Sequence, residues 1–212
     1  MKKQSRAERE AVNPQQAYKI LKNGNERYLK KLSSDRDLSA RILQTSRDQN
    51  PFAAVLSCID SRVPVEFIFD QSIGDVFSIR VAGNVVNPDV LASLEFACQV
   101  KDAKIIVVMG HTHCGAIAAA CEGGAEGNMR QLLGKIQNTV KALKEEQPDA
   151  GDEEHFRDEV SVRNVFHSID EIRKGSKVLK TLEKSGKMQI LAALYDVRSG
   201  RVRFLDERVQ KS

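Results

Sequence analysis

No stretch of this 212-residue chain approaches the roughly 18 consecutive apolar residues that a membrane span requires. Its beginning, Met1-Lys2-Lys3-Gln4-Ser5-Arg6, is basic but has no apolar segment of the kind a secretory signal carries. Tryptophan is absent, and no two cysteines have the C-x-x-C spacing of a thioredoxin-like redox site. Charge of one sign is also scarce: 33 basic against 29 acidic side chains leaves +4, with the basic residues dispersed among the acids. Such dispersal gives no electrostatic footprint for nucleic acid. The chain is therefore expected in the cytoplasm, with neither a membrane nor a nucleic acid as partner. In that reducing compartment its four cysteines are better read as metal ligands or reactive thiols than as a disulfide framework.

What is present is the composition of a globular protein, 41% hydrophobic and 29% charged. The length suits one substantial core, so residues 1–212 are read as a single domain. Residues 1–13 are expected to be flexible. Asn13-Pro14 then combines an N-cap with proline at the first helical position and opens a helical arm over 14–32. Between 33 and 51 no strand or helix is evident.

Phe52 to Cys58 is nearly all apolar, as expected of a strand covered on both faces. A short helix is expected over Val65–Phe69, a second strand over Asp75–Ala82, and a helix after Asn87-Pro88 carrying Val90, Leu94 and Cys98 on one stripe. Lys104 to Gly110 is the third strand. Helices follow near 116–120, over 129–147, through Val165, Ile169 and Ile172, and near Val178–Glu183. Two final strands, Gln189–Asp196 and Val202–Phe204, flank the turn Arg198-Ser199-Gly200. Strands alternating with helices predict an α/β fold: a mostly parallel sheet of four parallel strands plus one antiparallel edge strand, flanked by helices.

Ligands of such sheets bind beyond the carboxyl ends of the strands. Two of those ends carry chemistry here: Cys58-Ile59-Asp60-Ser61-Arg62, and His111-Thr112-His113-Cys114. Two thiolates and an imidazole suit zinc, with water or a carboxylate completing the tetrahedron. If the chain stays extended past Cys58, two-residue alternation puts Cys58, Asp60 and Arg62 on one side. Asp60, held by Arg62, would either orient a zinc-bound hydroxide or bind zinc itself. Taken singly, each residue has a plainer reading: Cys58 as a packed small hydrophobe, and Asp60 with Arg62 as a surface pair. All five at two neighbouring strand ends are much harder to assign to chance. Cys98 and Cys121 keep the packing reading. His155 is expected in a solvated acidic loop and His167 exposed. His113 is either a structural residue or a proton carrier near the mouth.

The motifs Cys58-x-Asp60-x-Arg62 and Gly110-His111-x-x-Cys114-Gly115 resemble those of the β-class carbonic anhydrases. The resemblance continues through Phe77-x-x-Arg80-x-Ala82-Gly83-Asn84, Ser93-Leu94-Glu95-Phe96-Ala97 and Tyr195-Asp196-Val197-x-x-Gly200, covering about residues 14–206. It implies one Zn2+ per chain on Cys58, His111 and Cys114. It makes Asp60 a switchable fourth ligand or hydroxide-orienting base, with Arg62 as its partner. Gln49, Phe77, Ala82 and Gly115 fall at substrate-binding positions. The implied reaction, that of a zinc lyase, is reversible hydration of CO2 to bicarbonate and a proton by attack of zinc-bound hydroxide. Homodimers or tetramers are implied, with Gln49 reaching a site across the interface. A regulated bacterial branch carries tryptophan three residues before the first zinc cysteine; here that position is Val55, which places the chain with the plant-like branch and implies no inhibition by bicarbonate there. Two rivals remain: hydrolysis of carbonyl sulfide or carbon disulfide on the same scaffold, and a non-catalytic zinc-stabilised assembly module.

Overall fold

Two strands whose residues are all buried form the middle of the molecule: β1 (Ala53–Ser57) and β3 (Ile105–His111). Their apolar runs have no polar face because both sides of the sheet are covered. Ala54, Leu56, Ile106 and Val108 face one layer, while Ala53, Val55, Ile105, Val107 and Met109 face the other. The computed structural model describes residues 12–33, 37–147 and 153–206. Most of the stretch expected to be flexible, 1–11, lies outside these; Val12 is buried in the core.

The sheet has five strands in the order β2-β1-β3-β4-β5, with β2 spanning Val76–Arg80, β4 Gln189–Tyr195 and β5 Val202–Leu205. The pairs β1–β2, β1–β3 and β3–β4 are parallel, and β4–β5 is antiparallel. The expected fold class is the observed one.

Helix α1 (Pro14–Leu29) covers the second layer. It starts at a capping box in which Asn13 and Gln16 satisfy each other's backbone N–H groups. Gly24 lets α1 lie directly on the chain at Phe69, where a Cβ would stand 1.8 Å from a backbone oxygen. Neighbouring Asn25 donates to the carbonyls of Ile68 and Gly200 and accepts from the Val202 N–H. Helix α2 (Leu38–Thr45), in the stretch where neither strand nor helix is evident from residue pattern, is capped by Asp37 and has no buried residue. Helix α3 is the short Val65–Ile68.

The first layer is covered by α4 (Pro88–Glu95), which continues as a π-helical turn over Phe96–Val100, and by the long α7 (Glu153–Gly175) and α8 (Lys177–Lys184). Helices α5 (Gly115–Glu122) and α6 (Gly127–Glu146) pack with the start of α7 around a third cluster that contains Cys58 and Cys114. His155 is exposed as expected but lies in α7 rather than in a loop. The rest of the acidic loop expected around it falls mostly on 148–152, outside the described residues. His167 is not exposed: it is half-buried and lines a small cleft with Lys135, Asn164 and Glu171.

Candidate metal centre

Strand register brings the site together. Ser57 pairs with Met109, so Cys58 and His111 emerge side by side where the β1–β3 ladder ends. Cys114 is the N-cap residue of α5, which folds it back toward the strand ends. Cys58, His111 and Cys114 are all buried, and their ligand atoms lie within 4.8 Å of one another. The two sulfurs are 3.9 Å apart. Zinc–sulfur bonds of about 2.3 Å at the tetrahedral angle would set two sulfurs ~3.8 Å apart, so the spacing fits that ion.

The histidine is set up in the same sense. His111 Nδ1 is 2.9 Å from the Thr112 carbonyl, which can only accept, so Nδ1 carries the proton. Nε2 is then a bare lone pair, buried and without a hydrogen-bond partner among the described residues. An orphaned acceptor beside two thiols is costly in an apolar interior unless a cation satisfies it. Thr112 itself is tied down: its hydroxyl donates to Asp196 and accepts from the Val197 N–H, which locks the end of β3 to the β4–β5 turn.

The thiols behave as a pair. Hydrogen bonding from Cys114, with the Gly83 N–H also donating to the sulfur, outweighs burial and lowers the Cys58 pKa to about 4. The Cys114 thiol is pushed up by its bond to Cys58 and by burial. One proton of the pair leaves easily, and the charge it leaves behind holds the other. A dication stabilises both thiolates at once. Cys98, in the π turn, is raised to about 12 by burial, and Cys121 is also raised, chiefly by burial. Neither joins the cluster.

Asp60 and Arg62 differ from the expected alternation. The chain turns after β1: the Arg62 N–H donates to Asp60 Oδ1 and the Val63 N–H to the Asp60 carbonyl. This turn, not an extended strand, folds Arg62 back onto Asp60. Arg62 Nε then donates to Oδ1 at 2.9 Å and Nη2 to Oδ2 at 2.7 Å. Arg62 holds the Asp60 pKa down at about 2. Oδ2 also lies 3.9 Å from His111 Nε2, at the edge of the cluster. Arg62 Nη2 further donates to the carbonyl of His113, whose left-handed backbone (φ 53°) presents that oxygen. His113 Nε2 is 3.5 Å from Glu154, which also meets Arg198.

The four expected substrate residues separate into two groups. Ala82 opens the 3-10 turn Ala82–Asn84, next to the Gly83 that donates to Cys58. Gly115 follows Cys114 directly and is exposed, with open space where a side chain would stand. Phe77 and Gln49 lie elsewhere in the chain. Phe77 pairs with Ala54 in the edge strand and makes an edge-on ring contact with Phe96. Gln49 is exposed before β1, at the opposite end of a strand about 15 Å long.

A family model described as carbonic anhydrase matches residues 53–202. Carbonic anhydrase 2 of Mycobacterium tuberculosis is 32% identical over 199 residues, covering 90% of this chain and 92% of that protein. A carbonic anhydrase of Mycolicibacterium smegmatis is 32% identical over 197 residues, also covering 90% of this chain and 92% of that protein. Among solved structures, the β-carbonic anhydrase CafA of Aspergillus fumigatus has a TM-score of 0.73 at 25% identity, covering 89% of this chain and 90% of that one. One from a study of two tetrameric β-carbonic anhydrases of Sordaria macrospora has a TM-score of 0.72 at 24% identity, covering 79% of this chain and 90% of that one, a likeness of fold.

Proposed function

Because this chain belongs to the β-class carbonic anhydrase family, we propose that Cys58, His111 and Cys114 hold one zinc ion and that Asp60 and Arg62 direct the reaction beside it. The enzyme is a carbonic anhydrase, and its reaction is the zinc-dependent, reversible hydration of CO2 to bicarbonate and a proton. The observation that carries the site assignment is the buried, unpartnered His111 Nε2 facing two sulfurs 3.9 Å apart.

Bound there, zinc supplies a Lewis acid that makes hydroxide available near neutral pH, less strongly with two thiolates than with three imidazoles. Asp60 stays ionised because Arg62 engages both of its oxygens. As an anion it is an acceptor only, so it takes a hydrogen bond from the reacting water and turns the oxygen lone pair toward CO2. To act as a fourth metal ligand it must first leave Arg62, which makes the pair a two-position switch. Gly115, lacking a side chain, and Ala82, with a small one, leave room for a small linear substrate.

Gln49 and Phe77 reach such a site only from a second copy, so the working form is a homodimer, or a tetramer built from dimers. Supporting this, β2 has an open edge, and Leu38, Ile42, Leu43 and Phe96 are exposed apolar side chains. The Sordaria macrospora proteins are described as tetrameric. A single domain over 1–212, a cytoplasmic location and no nucleic-acid or membrane partner complete the reading. Among the described residues no helix is long and apolar enough to cross a membrane. Assignment to the plant-like branch is part of this proposal, and it is supported by Val55, fully buried, standing where the regulated branch has tryptophan.

The test is zinc per chain by elemental analysis together with stopped-flow CO2 hydration. One zinc per chain and rapid hydration are expected, both lost in Cys114→Ser. A wild-type protein without zinc, or zinc retained in Cys114→Ser, contradicts the assignment.

A further inference from the structure

Past the end of the β1–β2 ladder, a side chain takes over the work of a strand. The last ladder pair is Ser57 with Arg80, followed by a bond from the Val81 N–H to the Ser57 carbonyl. Beyond it β1 has turned away, and the carbonyls of Cys58 and Asp60 have left the sheet. Arg80 collects both: its Nε donates to the Cys58 carbonyl at 3.0 Å and its Nη2 to the Asp60 carbonyl at 2.5 Å.

The geometry is selective. Carbonyls two residues apart on one side of an extended strand are about 6.6 Å apart. The Nε–H and Nη2–H on one edge of a guanidinium point the same way, which suits acceptors closer together than that. Here β1 ends at Ser57 and the chain turns at residues 60–63, and in this arrangement both carbonyls meet the fork. The same short segment delivers the Gly83 N–H to Cys58 Sγ. Residues 80–83 thus grip the first sulfur and the backbone that carries the carboxylate.

We propose that Arg80 is a positioning residue of the enzyme: by clamping the carbonyls of Cys58 and Asp60 it fixes the angle between the first metal ligand and the Asp60 carboxylate. Arg62 holds the side chain of Asp60, and Arg80 holds its main chain. When the carboxylate leaves Arg62, the backbone does not follow, and the motion is confined to side-chain torsions. The inference rests on the zinc assignment above.

The test measures zinc retention against a competing chelator, and kcat and KM for CO2 separately, in Arg80→Met and Arg80→Lys holoenzymes. Loss of both carbonyl bonds in Arg80→Met is expected to weaken zinc retention 10- to 100-fold, the usual range for groups that orient ligands. It should lower kcat about tenfold with little change in KM. Arg80→Lys, able to reach one carbonyl but not both, should fall between. Adding millimolar guanidinium to Arg80→Ala should recover part of both losses, which general destabilisation would not allow. Wild-type zinc retention and kcat in Arg80→Met overturn the clamp alone. Should Arg80→Met not fold, unchanged values in Arg80→Lys do the same. A wild-type protein that retains no zinc overturns the zinc assignment and the clamp together.

Discussion

Cys58 and Cys114 stand 56 residues apart in the chain, yet their sulfurs meet at 3.9 Å. Each alters the other: the Cys58 thiol is lowered to about 4, and the Cys114 thiol is raised above its ordinary value. At pH 6.5 the pair therefore holds one proton, on Cys114. Metal binding should release about one thiol proton at that pH, and zinc affinity should rise about tenfold per pH unit. Two unperturbed thiols, each near 9.0, would release two protons and give a hundredfold rise. Calorimetry of zinc binding in buffers of different ionisation enthalpy counts the protons directly.

The Asp60–Arg62 pair predicts a kinetic effect without a matching stability effect. The Arg62 side chain is 51% exposed, and exposed ion pairs contribute little to folding. Lysine keeps the charge but cannot make the two-toothed contact. Arg62→Lys should melt within a few degrees of wild type while kcat for CO2 hydration falls about tenfold. Equal losses in stability and rate would assign the pair to folding instead.

Glycines at two helical positions should respond with opposite signs. A Cβ at Gly24 would stand 1.8 Å from the Phe69 carbonyl oxygen, so α1 must lift from the chain beneath it. Gly24→Ala should cost about 3 kcal/mol or more. Gly134, inside α6, has nothing within 4 Å of its added Cβ, and Gly134→Ala should stabilise by roughly 0.5–1 kcal/mol. Urea unfolding of both variants checks the pair.

Bicarbonate should act on this enzyme only as product. Val55 is sealed in the core, and Arg80 already donates to the Cys58 and Asp60 carbonyls. Inhibition at rising bicarbonate should fit competition at the active site. A strong non-competitive component would reveal a regulatory site that these residues do not provide.

The central strands were readable because burial on both faces leaves an unbroken apolar run, and the two strand ends announced themselves by residue type. Other features depend on information that pattern does not carry. Helix α2 buries no residue, so its apolar side chains trace no core-facing stripe; the Asp37 cap was its one local signal. The Asp60–Arg62 contact looked like strand alternation but is made by a turn, because the Asp60 carboxylate captures the Arg62 N–H. His167 lies off the apolar stripe of α7, which predicts exposure, yet α6 packs close enough to half-bury it. In the linear sequence Arg80 is distinguished only by its place in the Phe77-x-x-Arg80 motif. Its place opposite Ser57, at the last rung of the ladder, follows from register, which the linear sequence does not display. Gln49 and Phe77 are separated from the metal cluster within one chain, and the proposed assembly of two copies is what would bring them to it.

In the proposed mechanism a carboxylate held by Arg62 directs hydration at a metal held by Cys58, His111 and Cys114. Stopped-flow CO2 hydration by zinc-loaded Asp60→Ala, with zinc content verified, tests it most directly. Zinc should stay bound while the rate falls about 100-fold, the scale of a positioned acid–base group. Full wild-type hydration by zinc-loaded Asp60→Ala would contradict it.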